Sequence, residues 1–262
     1  MLVWFEQLSL RAKLAWGFGT LIGLMLIGGT TALLGHARSL VAVEAFLAGD
    51  NRIAGLSLES SAAMDKARRY EKEFLLKTKV FSHEEAKARY ATLVARQLAA
   101  VREHMAAIRD LTDNTEIETE THAIEAVTRQ YEAGFLRVID LYGRLGRVDS
   151  GVAGQFRARA HAIEALLAQG AAQHLRADLL SLRRHEKDFI MRGLIREAEA
   201  FESAADRFKA KVAQTGLPGG RKTELQEMID QYRALFREYV ATDAEIDAAT
   251  LDYLGAVHKI EP

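Results

Sequence analysis

The chain has 262 residues, 49% of them hydrophobic, with 35 basic against 36 acidic side chains and a formal net charge of -1. There is enough apolar material for a sizeable core, and the charge balance leaves no global field to gather nucleic acid. The absence of cysteine excludes disulfides, thiolate metal sites and cysteine nucleophiles.

Residues 14–34 read LAWGFGTLIGLMLIGGTTALL without one charged side chain. As a helix rising about 1.5 Å per residue the stretch covers roughly 30 Å, a bilayer core. Arg11 and Lys13 precede it, so the positive-inside rule puts residues 1–13 in the cytoplasm, a transmembrane helix at 14–35 and the remainder outside. A cleaved signal peptide, with ALLGHA as a loose small-residue site, is the competing reading. The apolar stretch exceeds a normal signal h-region, which favours an uncleaved anchor.

Beyond residue 35 the apolar spacing predicts six helices. The first covers about 36–79, with Gly49-Asp50-Asn51 a potential break. The second opens at Ser82, a capping serine three residues before Glu85, and runs to about 111. Thr112–Thr115 turns into the third, which ends near 146. Four glycines between Gly143 and Gly154 predict the next reversal. The fourth covers about 155–193 and the fifth about 196–215. After the break at Thr215–Gly220 the sixth runs to the end.

Within this pattern phrases recur. ARRYEKEFLL at 67–76 returns as LRRHEKDFIM at 182–191. Gln130, Tyr131 and Phe135 return as Gln231, Tyr232 and Phe236, and His161–Glu164 as His258–Glu261. Three blocks in one order with shrinking offsets indicate a duplicated three-helix unit, about 36–149 and 150–262. An all-α fold follows.

The sixth helix carries a heptad seam that includes Tyr232, Phe236, Tyr239, Asp243, Tyr253 and Val257; the third has a counterpart through Thr128, Tyr131, Phe135, Val138 and Tyr142. Each tyrosine hydroxyl needs a partner, met by backbone or water in the simplest case, and Asp243 on a buried seam needs a cation or donors. On the helical wheel Glu71 falls within the stripe of Leu56, Ala63, Ala67, Tyr70 and Phe74, and Glu186 lies beside Leu182 and Phe189. Both acids therefore point inward, where arginines across the bundle are their expected partners. Arg68 and Lys72 flank the stripe, as Arg183 and Lys187 do in the second copy. They are solvated bases on one reading and carboxylate-pocket donors on the other. Arg52 edges the same stripe nearer the membrane, as a snorkelling base or a ligand contact. The histidines show no metal spacing, and no glycine-rich loop or nucleophile motif is present, so no enzyme, metal site or cofactor is expected.

The short stub, one span beginning KLAWGFGTLIGL, and the doubled RRxEK(D/E)F phrase resemble the helical bimodular sensor domain of methyl-accepting chemotaxis proteins, over about 36–262. The resemblance implies two stacked four-helix-bundle modules after the N-terminal transmembrane helix. It implies a homodimer in a bacterial inner membrane, with the sensor domain in the periplasm binding small carboxylates. Arginines and tyrosines from different helices would grip the ligand, here Tyr70, Arg184 and Tyr232 in the distal module and Arg52 in the proximal one. With Arg68, Tyr239 and Asp243 these complete the candidate ligand-binding set.

Two departures stand against the family pattern. The last helix offers no base between Arg237 and Lys259, where the family's proximal dicarboxylate site draws an arginine. The second span, HAMP linker and signalling hairpin expected downstream are not in this chain. The alternatives are a histidine-kinase sensor and a docking module for a periplasmic binding protein.

Overall fold

A computed structural model describes residues 9–78, 81–168 and 170–257. The chain is all-α among them: α1 Leu10–Lys77, α2 His83–Arg109, α3 Thr115–Leu145, α4 Gly151–Leu167, a 3-10 turn Gly170–Leu175, α5 Arg176–Arg192, α6 Ile195–Gln214 and α7 Gly219–Val257. The last repeat block, His258–Glu261, and most of the 1–13 stub lie outside the described residues.

Local chemistry accounts for the helix ends. Ser82 and Glu85 form a capping box at the start of α2, as the sequence predicts, and the Asn114 side chain accepts from the Glu116 amide at the start of α3. Gly193 closes α5 in the left-handed conformation. Between α3 and α4, Gly146 and Gly151 both have positive φ, and a Cβ on Gly146 would lie 2.1 Å from the Ser150 carbonyl oxygen. Only glycine fits that linker.

The first part of α1 differs from the rest of the molecule. Leu10–Val41 has a mean hydropathy of 1.7, and none of its apolar window is buried within the protein. Thr20, Thr30 and Thr31 return their hydroxyls to carbonyls one turn back, which hides the few polar groups from an apolar medium. This helix is long and apolar enough to cross a membrane.

Packing follows the amphipathic stripes: α1 on α2, α2 on α3 and α3 on α7 in one group, with α4 and α6 on α7 and α5 on α6 in the other. Most of the core is one continuous cluster. A smaller one around Leu56, Val101 and Met105 sits between α1 and α2.

Four expectations are corrected. First, α1 passes through Gly49–Asn51 unbroken, because strong helix formers on both sides carry one glycine at a cost of about 1 kcal/mol. Second, the helix expected at 155–193 is two, α4 and α5, with the 3-10 turn between them. Third, Gly143–Gly154 is not a reversal. Arg144 on α3 meets Thr242 and Glu245, and Phe156 on α4 meets Phe236 and Tyr239, so both helices run antiparallel to α7 and in the same direction. Fourth, the α7 seam buries Thr242 where Asp243 was expected, because the seam shifts by one residue where α7 exchanges packing partners.

Candidate functional site

The repeated glutamates face tyrosines, not the arginines expected. Glu71 on α1 is buried and accepts hydrogen bonds from Tyr131 on α3 and from Tyr253 on α7, the latter at 2.7 Å. Glu186 on α5 is equally buried and accepts one, from Tyr232 on α7. The repeated phenylalanines match as well. Phe74 meets Phe135 edge to face at 5.6 Å, and Phe189 meets Phe236 edge to face at 5.8 Å, contacts worth about 0.5–1.5 kcal/mol beyond burial. Thus the two phrases make equivalent contacts, acid to tyrosine and phenylalanine to phenylalanine.

Burial raises the Glu186 carboxyl above its usual range, against the Tyr232 hydrogen bond and the charges of Arg183, Lys187 and Arg157. Burial, then the facing glutamate, pushes the Tyr131 and Tyr232 hydroxyls far up, so they remain donors at any physiological pH.

Where the two helix groups meet lies a cavity of about 600 Å³. Every element except α6 and the 3-10 turn reaches it. Leu75 and Thr78 close the end of α1, His83 opens α2, Tyr142 comes from α3 and Arg147 from the glycine-rich linker. Arg157 enters from α4, while Arg183, Glu186 and Lys187 enter from α5. Tyr239 and Asp243 enter from α7.

Its charges are segregated. Arg183, Lys187 and Arg157 act on Glu186, whereas the charge that acts on Asp243 is another acid, Asp247. Burial, then Asp247, raises the Asp243 carboxyl, and burial, then Asp243, pushes Tyr239 up to about 12. Arg183 reaches Glu164 only at 3.8 Å. Arg157, Lys187 and Asp243 have no hydrogen-bond or ion-pair partner among the described residues. Unpaired bases of this kind bind carboxylates, and an unpaired, partly buried acid attracts a cation.

Of the candidate residues, the structure brings Tyr239 and Asp243 together in this cavity. Tyr232 lies outside its lining with its hydroxyl taken by Glu186. Arg68 is half-buried with its charge acting on Tyr131. Tyr70 is half-buried beneath the Arg69 guanidinium, 5.4 Å from its ring. Arg184 is exposed and borders a different depression of about 560 Å³ on the outer face of α5. Arg52 is exposed and outside the lining of a cavity of about 450 Å³ between α1, α2 and α3, whose charged lining residues are Asp65 and Glu120.

The candidate set omitted Arg157, Arg183 and Lys187. The last two carried a signal, since they flank the core stripe within the repeated phrase; Arg157 carried none. Among the described residues no cluster of three or more metal-ligating side chains occurs. No protein-family model, curated protein or solved structure matches the chain. Fold and site define an all-α protein with one helix able to span a bilayer and a charged cavity between its two helix groups.

Proposed function

We propose that the chain is the sensor region of a bacterial transmembrane chemoreceptor that recognises small carboxylates in the periplasm. Residues 14–35 anchor it in the inner membrane, and 36–262 form a duplicated three-helix unit folded as two stacked four-helix modules in a homodimer. The matched glutamate–tyrosine and phenylalanine contacts support the duplication. The exposed apolar face of Leu10–Val41 supports the anchor.

One observation carries the sensing role: α1 is a single helix from the apolar segment to the cavity wall at Leu75. Its 68 residues make a rod of about 100 Å. A ligand that draws the two helix groups together at the cavity prefers one packing of α1 and α7. That preference shifts the population of packings and moves the membrane helix.

The test is titration calorimetry on the full chain in lipid nanodiscs with C2–C6 mono-, di- and tricarboxylates. Saturable heat that Lys187→Ala weakens is expected. No heat from any acid, with helical content intact, refutes carboxylate sensing.

A second reading, docking of a partner protein, is favoured by the outer face of α5. Arg176, Arg184 and Lys187 surround the depression there, and Leu180 and Met191 are largely exposed. It predicts that Arg184→Glu abolishes partner capture and leaves small-ligand binding unchanged.

A further inference from the structure

We infer that the cavity between the helix groups is built for a zwitterion, an amino acid whose carboxylate meets Arg157 and Lys187 and whose ammonium meets Asp243 beside Tyr239. This deepens the carboxylate-sensor reading and rests on it, because the same bases hold the same carboxylate.

Charge is segregated within the cavity. Arg157 from α4 and Arg183 and Lys187 from α5 act on Glu186, whose oxygen already accepts from Tyr232, while Arg147 of the linker donates to the Phe81 carbonyl. Three bases stand against Glu186 and, 3.8 Å from Arg183, Glu164, so that end of the cavity keeps net positive charge. Asp243, on α7, has no base acting on it and is repelled by Asp247.

A simple carboxylate satisfies the first end only. It leaves Asp243 without a counter-charge and brings a third negative group into a cavity that already holds Glu186 and Asp243. An amine alone answers Asp243 and leaves the bases free. A ligand carrying both charges pairs each end with its opposite. The two tyrosines near Asp243, Tyr142 and Tyr239, add ring faces and hydroxyls suited to an ammonium group. At about 600 Å³ the cavity has the size of a small-molecule site.

The test uses the full chain in nanodiscs and calorimetric titration with matched pairs: alanine against propanoate, 4-aminobutanoate against butanoate, and 6-aminohexanoate against hexanoate. At least one amino acid is expected to bind about tenfold or more tighter than its unaminated partner, as one charge-assisted hydrogen bond provides. Asp243→Asn, which keeps the side-chain shape, should abolish that preference, and Lys187→Ala should weaken both members of the pair.

Carboxylates that bind as tightly as their amino counterparts overturn the inference and leave the carboxylate-sensor reading standing. A preference that survives Asp243→Asn overturns it too. Silence from both series, with helicity intact, overturns the inference, and the sensor reading falls with it only when the di- and tricarboxylates give no heat either.

Discussion

Replacing Tyr232 by phenylalanine removes one oxygen and little volume, so it isolates the hydroxyl's contribution. Glu186 is buried and Tyr232 is its hydrogen-bond donor. Loss of a hydrogen bond to a charged group costs about 1.5–3 kcal/mol, and the stranded carboxylate adds to that by desolvation. Tyr232→Phe should therefore cost about 2–3 kcal/mol, or roughly 4–12 °C in Tm for a chain of this size.

The other copy is an internal reference. Glu71 has two donors, so Tyr131→Phe leaves Tyr253 in place at 2.7 Å and should cost only about 1 kcal/mol. The assay is denaturant unfolding followed by circular dichroism at 222 nm on the full chain in one detergent. Equal costs for Tyr232→Phe and Tyr131→Phe, or a Tyr232→Phe cost below about 1 kcal/mol, would refute the view that donor number sets the stability of these acids.

Glu186 also sets a pH dependence. Its carboxyl lies above the usual 4.5 in the folded state, so its contribution is full below that value and is lost as pH rises through the folded pKa. Glu186→Gln should flatten the unfolding midpoint across that window, and an unchanged slope would contradict the assignment. Gly134 lies where α3 crosses α7, and a Cβ there would stand 2.4 Å from Tyr253 Cβ. Gly134→Ala should destabilise by about 1–3 kcal/mol in spite of its helix propensity, whereas Gly255→Ala, with nothing within 4 Å, should be neutral or slightly stabilising by the same unfolding measurement. Ser82→Ala removes the capping box at the start of α2 and should cost about 1 kcal/mol in denaturant titration.

Helix content, the Ser82 cap and the inward direction of Glu71 and Glu186 are legible in the sequence because each depends on spacing within about one turn. The partners of the acids are not. Tyr131 and Tyr253 lie on separate helices far along the chain from Glu71, and spacing along one helix does not say which helix it faces. The split of α4 from α5 is hidden for a different reason. Apolar spacing continues through Leu166, Leu167, Leu175 and Leu179, which the 3-10 turn keeps buried or half-buried, so periodicity gives no warning. Glycines near 146 mark a break but carry no information about direction. That direction follows from α7, a 39-residue helix whose apolar seam receives α3 and then α4.

The same seam explains how Asp243 reaches the cavity. Buried positions on α7 alternate four and three from Leu225 through Ile229, Tyr232, Phe236 and Tyr239, then a second step of three leads to Thr242. Alternation resumes through Ile246, Ala249 and Tyr253. An added step of three turns the buried face by a fraction of a turn, the effect of a stammer in a coiled coil. It falls where α7 leaves α4 and α6 and meets α3, so one straight helix serves two sets of neighbours only by rotating its stripe. Thr242 takes the inward place because its hydroxyl is satisfied there, donating to the Glu238 carbonyl at 2.8 Å and accepting from Arg144 at 3.0 Å. Asp243, one residue on, is carried off the seam to the cavity edge. The change of partners that joins the two helix groups thus also delivers an unpaired acid to the space between them.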